Sequence, residues 1–182
     1  MTAKEVLLVA VGGVTATTLK DLEGPLNQSL GCRPVVSKQA LPDVKYAFNK
    51  DRAQHHTVAI LRRLQGMAAP GQRVLGVCDV DLFVPDSPFV VGEAERESRV
   101  AVVSLFRLRQ GVDLEGMKRR LQCEAVHHAG HLLGLSFCED ARCVMYATAQ
   151  PSDADRKNLQ PCNSCRNELA RLRTRPAAPP VE

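Results

Sequence analysis

Short, continuously apolar runs alternate in this chain with stretches in which apolar residues recur every three or four positions. The run Val6 to Val11, bounded by Glu5 and by the Gly12-Gly13 pair, predicts a strand buried on both faces. A helical stretch follows over residues 15–30, with Pro25 as its weak point, and a second strand is expected near residues 34–37. Over residues 51–64, Ala53, Val58, Ala59, Leu61 and Leu64 interleave with Arg52, Arg62 and Arg63, which suits an amphipathic helix. Residues 73–84 and 99–108 are β-branched and apolar enough to be buried strands, with a short third strand at residues 89–91 between them. Residues 113–133 read as one long helix. Residues 151–172, with Ser152 and Asp153 as capping candidates, lead into a C-terminal helix that begins near Cys162. Strands alternating with helices imply an α/β fold whose sheet is mainly parallel with one antiparallel edge strand.

Composition narrows the class without changing that picture. A chain of 182 residues without an obvious linker is expected to form one domain, over residues 1–173, with the proline-rich residues 174–182 as a disordered tail. No apolar run approaches the roughly 20 residues needed to cross a bilayer. The run at residues 6–11 is too short and too closely flanked by Glu5, Lys20 and Asp21 to read as an export signal, so a cytoplasmic protein is expected. The formal charge is a modest +4. Its one local concentration, Arg166, Arg171, Arg173 and Arg175, reads first as the solvated face of the last helix. A zinc-stabilised nucleic-acid-binding protein is the rival reading of that cluster.

Cysteine usage carries the chemistry. The seven cysteines are an odd number for a disulfide framework, and without an export signal they point to metal binding in a reducing compartment. Cys138 and Cys143 are spaced Cys-x4-Cys, and Cys162 and Cys165 are spaced Cys-x2-Cys, so four thiolates can converge on one tetrahedral structural zinc. Just upstream, His127 and His131 lie one turn apart on the same helix face, the spacing for a second metal ion. Cys123 precedes His127 by four residues but reads as a core thiol, and His55 and His56 read as packing or surface residues.

The run from His127 through His131, Gly134, Cys138, Cys143 and Met145 to Cys162 and Cys165 resembles the archaemetzincins. These are zinc metallopeptidases marked by HExxHxxGxxH running straight into Cys-x4-Cys-x-Met and a distant Cys-x2-Cys. The upstream runs Asp79-Val80-Asp81-Leu82-Phe83-Val84-Pro85 and Phe89-Val90-Val91-Gly92-Glu93-Ala94 also look like the family's central strands. The resemblance implies a metzincin-like sandwich, a turn at Gly134 and Met145 as the apolar floor of the Met-turn. It also implies a catalytic zinc beside the structural one, and an edge strand at Phe89 to Gly92 that pairs with a peptide or protein substrate. Two positions depart from the motif. His128 stands where the general-base glutamate belongs, and Phe137 stands where the third histidine ligand belongs. A hydrolytic zinc needs about three protein ligands, an open position and a proton acceptor. The expected function is therefore an archaemetzincin relative with a structural zinc, an impaired catalytic zinc site, little proteolysis and retained peptide binding. The alternative is an active metallopeptidase with an unusual site.

Overall fold

The computed structural model describes residues 3–174. Its centre is a five-stranded sheet in the order β2-β1-β5-β8-β7. These strands are β1 (Glu5–Ala10), β2 (Arg33–Val36), β5 (Arg73–Cys78), β7 (Gly92–Glu95) and β8 (Val100–Ser104). All neighbouring pairs are parallel except β7 with β8, so the antiparallel strand lies at the edge, as the pattern of the chain anticipates. A second sheet joins β3 (Phe48–Asn49), β4 (Gln54–His56) and β6 (Leu82–Phe83).

The period-two alternation of each strand divides the core in two. Val6, Leu8, Leu75, Val77, Ala101 and Val103 face α2 (Glu23–Leu30) and α5 (Leu114–Leu132). Val9, Val74, Val100 and Val102 face the other way, toward α3 (Thr57–Met67). On that side Gly76 lets α3 approach closely, because a Cβ there would fall 2.6 Å from a Leu64 methyl.

Four expected elements have different bounds, each for a local reason. The helix expected over residues 15–30 is two, α1 (Ala16–Lys20) and α2, separated at Asp21 and Leu22 rather than at Pro25. The helix expected over residues 51–64 starts only at Thr57, because Ala53 adopts a positive φ of 53° and the next three residues pair as β4. The strand expected over residues 73–84 ends at Cys78, and the chain crosses to the second sheet before β6. The strand expected over residues 99–108 stops at Ser104, whose hydroxyl bonds the Val80 carbonyl at 2.6 Å and accepts from the Phe106 N–H, capping α4 (Leu105–Leu108).

The edge strand is also displaced in sequence. It is Gly92–Glu95 rather than residues 89–92. Val90 is drawn to the second sheet, where its N–H bonds the Leu82 carbonyl at 3.0 Å. Phe89 is covered by the Arg107 guanidinium, 4.0 Å above its ring, while Arg107 itself pairs with Asp81 at 2.6 and 2.7 Å.

Helix α5 begins where Asp113 accepts the Gly116 N–H at 2.8 Å, and it ends before Gly134, whose φ of 107° reverses the chain. Residues 135–162 are mostly irregular, apart from one 3-10 turn at Pro151–Asp155, and α6 (Asn163–Thr174) closes the described chain. The expected tail lies, beyond Thr174, outside the described residues. Among the described residues no helix is long and apolar enough to cross a membrane.

The 3-10 turn is tied to α5 by Arg120, which is 4% exposed, pairs with Asp155 at 2.7 and 2.8 Å and also donates to the Leu108 and Gln110 carbonyls. Replacing it strands the partners it satisfies, so Arg120→Ala is expected to cost about 2–3 kcal/mol in urea unfolding. Arg33→Ala, which breaks the exposed pair with Glu5, should change stability by no more than about 0.5 kcal/mol. Equal effects from the two changes would contradict the burial argument.

Candidate active site and metal centre

Both motif histidines of α5 are buried, and each is held by a backbone carbonyl. His127 Nδ1 lies 2.8 Å from the Val144 carbonyl oxygen, and His131 Nδ1 lies 2.8 Å from that of Leu135. A carbonyl only accepts, so each Nδ1 carries the proton and each Nε2 presents a lone pair. Those two Nε2 atoms face one another at 3.2 Å. Two lone pairs aimed together in a dry site repel unless a cation lies between them. A proton is disfavoured, because burial first, and then Lys157 and His131, push the His127 pKa down to about 3. Burial likewise lowers that of His131. Two nitrogens on a tetrahedral zinc are about 3.3 Å apart, so the spacing fits a metal ion as far as two ligands go.

The next position is occupied differently. His128 is buried, and its ring packs against the edge strand with Nε2 and Cδ2 where a Cβ on Gly92 would overlap them. Its Nε2 is 3.8 Å from Glu124 Oε2, too far for a direct hydrogen bond. Burial, followed by the neighbouring histidines, holds its pKa well below the ordinary imidazole value. Glu124 is fully buried and spends its other oxygen on the Thr148 hydroxyl at 2.6 Å and the Lys157 ammonium at 3.1 Å.

Phe137 does not enter the buried space between the imidazoles. It is 67% exposed and leans over them from the cleft, its ring centre 4.6 Å from that of His131 and 5.7 Å from that of His127. Beneath the helix, Met145 is fully buried with its sulfur packed on Gly130, where an added Cβ would fall 2.5 Å away. Past the helix end, the Gly134 carbonyl accepts from Arg96 at 2.5 Å, which joins the edge strand to the turn. The cleft holds two adjoining cavities of about 410 and 280 Å³. Gly92, Glu93, His127, His128 and Phe137 line both.

Cys138, Cys143, Cys162 and Cys165 converge, with their sulfurs all within 4.8 Å of one another. Cys138 Sγ is 3.7 Å from Cys162 Sγ, and Cys143 Sγ is 3.8 Å from Cys165 Sγ. Sulfurs 2.3 Å from a tetrahedral zinc would be about 3.8 Å apart. Backbone N–H groups of Met145 and Cys162 point at Cys143 Sγ from 3.4 and 3.2 Å, donors that favour a thiolate. Cys123 stays apart in the core, where burial pushes its thiol up to about 12. His55 and His56 belong to the second sheet.

Comparison with known proteins agrees with this geometry. The sequence signature of peptidase family M54 matches residues 28–171. The archaemetzincin of Methanocaldococcus jannaschii is 35% identical over 164 residues, covering 87% of this chain and 89% of that protein. The chain belongs to the archaemetzincins. Among solved structures, the archaemetzincin of Methanopyrus kandleri superposes with a TM-score of 0.85 at 33% identity, covering 95% of this chain and 97% of that one. A zinc-dependent peptidase from Methanocorpusculum labreanum shares the fold, with a TM-score of 0.81 at 24% identity over 90% of this chain and 99% of that one.

Sequence reasoning missed Lys157, Thr148, Arg96 and Glu93 as parts of this archaemetzincin's site. Lys157 and Thr148 are nine residues apart in an irregular segment, where no periodicity could show that both meet Glu124. Arg96 acts through a carbonyl, which leaves no trace in residue type.

The tautomers can be measured. In a ¹⁵N-labelled sample at neutral pH, His127 and His131 should both show the Nδ1–H form, and His127 should remain neutral on acidification to about pH 5, well above its folded pKa of about 3. An Nε2–H form at either residue would contradict the carbonyl assignments.

Proposed function

We propose that this archaemetzincin holds a structural zinc on Cys138, Cys143, Cys162 and Cys165, and binds extended peptides in its cleft while hydrolysing them slowly or not at all. The observation that carries the reading is the pair of residues beside His127 and His131. The base position holds His128, turned into the strand, and Phe137 offers no ligand atom. A bound zinc would supply an acidified water, with a pKa lowered toward about 7. The chain's own residues would have to hold that ion and accept its proton. His127 and His131 fit the first task with two nitrogens, and among the described residues no third histidine, cysteine or carboxylate group joins them. The second task needs an acceptor in reach of the cleft, and both ring nitrogens of His128 are enclosed by protein. Peptide binding needs neither task, because an edge strand recognises an extended chain by backbone pairing.

An active peptidase with an unusual site is the second reading. It is favoured by the preset tautomers and facing lone pairs, which suit a cation even with two ligands. Of the arginines that suggested nucleic acid, Arg175 lies outside the described residues, and the other three support the nucleic-acid reading poorly. Arg171 pairs with Glu168, Arg173 donates to the Leu30 carbonyl and Arg166 to Asn163. A site of reduced thiolates also suits the cytoplasm.

Chelation tests the structural ion. Removing metal should release one tightly held zinc and lower the Tm sharply, and Cys162→Ser should come close to that effect, since structural zinc contributes on the order of 10 kcal/mol in small zinc-dependent folds. An unchanged melt after complete metal removal would exclude a structural role.

Catalysis is tested by restoring both missing groups. The chain as it stands should cleave a peptide library little or not at all with zinc added. His128→Glu together with Phe137→His should raise cleavage, whereas each single change does far less, because a base without held metal and a metal without a base each lack half the reaction. Robust hydrolysis by the unaltered chain, lost in His131→Ala, would favour the second reading.

A further inference from the structure

The edge strand β7 has two faces and one open side, and the register fixes what each presents. The Ser104 N–H bonds the Val91 carbonyl at 2.8 Å, and the same register sets Glu93 opposite Val102 and Glu95 opposite Val100. Bonded and non-bonded pairs alternate in an antiparallel ladder, so Glu93 and Glu95 bond toward β8, and the N–H and C=O groups of Gly92 and Ala94 are left on the open side. Side chains alternate as well. Gly92 lies against His128 and Ala94 packs into the core beside α5, which places Glu93 and Glu95 together on the opposite face.

Those two carboxylates have no cation of their own. Among the described residues neither forms an ion pair, and Glu95 accepts the Ser98 hydroxyl. Arg96, next in the chain, is spent on the Gly134 carbonyl and Ser136. Glu93 is half-buried along both cavities, and burial, with the Glu95 charge beside it, raises its pKa. A strand added to the open side sets its residues opposite Glu93 and Glu95 on the same face, with Cβ atoms about 5 Å away. A second copy of this chain, paired antiparallel through β7, would bring glutamates against glutamates.

We propose that β7 selects peptides carrying two basic side chains separated by one residue, which pair with Glu93 and Glu95 when the peptide adds to the open edge. This inference rests on the peptide-binding reading above and gives it a substrate class. The spacing is the specific part. Lysines two apart point to the same face of a strand, whereas adjacent lysines point to opposite faces and only one can reach a glutamate.

End-blocked synthetic peptides of about nine residues test it by fluorescence titration against the full chain. With Lys-x-Lys at the centre, Kd should be roughly 3- to 30-fold lower than with Glu-x-Glu or with two leucines, and lower than with adjacent lysines. High salt should narrow the gap. Glu93→Gln with Glu95→Gln should collapse the ratio between Lys-x-Lys and the other peptides, and an unchanged melt would show that the fold survives the change. A ratio that persists in the double variant, or equal affinity for all the peptides, would overturn the proposal and leave the glutamates as guards against edge pairing, with peptide binding intact. If no peptide binds, the peptide-binding reading falls with it.

Discussion

The ion pair between Glu124 and Lys157 lies at the join between the regular and irregular halves of this archaemetzincin, and both side chains are fully buried. Removing two such charges from water is costly unless their hydrogen-bonding capacity is met. Lys157 meets it completely. Its three N–H groups reach the Tyr146 carbonyl at 2.8 Å, the Thr148 hydroxyl at 2.6 Å and Glu124 at 3.1 Å. Thr148 in turn donates its hydroxyl hydrogen bond to Glu124. One lysine thus fixes residues 146–148 against α5, and the neighbouring Val144 carbonyl is brought to His127 as a consequence. The segment has no regular secondary structure to hold it there. Four converging cysteines, Arg120 and this lysine replace the ladders that a sheet or helix would provide.

That arrangement gives the site its electrostatic character. Glu124 and Lys157 cancel locally, the three histidines are pushed toward neutrality by burial, and Phe137 roofs the imidazoles with an aromatic ring. Between His127 and His131 two lone pairs face one another at 3.2 Å, a place suited to positive charge. The Glu93 carboxylate belongs to the strand, on the face turned away from His128. The facing imidazole nitrogens and the strand carboxylates therefore belong to different elements, the helix and the edge strand. His128 and Phe137, the two positions that depart from the family motif, lie on the helix and on the loop after it, not on the edge strand.

Much of this was legible in the chain, and the reasons for the failures are physical. The buried strands announced themselves because β-branched runs such as residues 73–78 and 100–104 have no other good use. The cysteine cluster was legible because metal ligands are few and their local spacing is short. The bounds that failed did so at side-chain-to-backbone bonds. Ser104 stops β8, and the Arg52 and Gln54 side chains hold the Ser87 and Pro88 carbonyls, so that the edge strand begins three residues later than hydrophobicity suggests. Tertiary bonds to a carbonyl carry no signature in residue periodicity. The same blindness hid Lys157, which in sequence looks like any surface lysine.

Gly92 shows that the altered motif is built into its surroundings. An imidazole is wider than a carboxylate, and His128 fits only because the strand residue above it has no side chain. Any other residue at position 92 would force the ring back toward His127 and the cleft, or push β7 away from β8. The ring therefore makes packing contacts on the strand while its nitrogens make no hydrogen bond. A side chain held that way contributes shape to the floor of the cleft. At position 128 the helix thus packs directly against the edge strand.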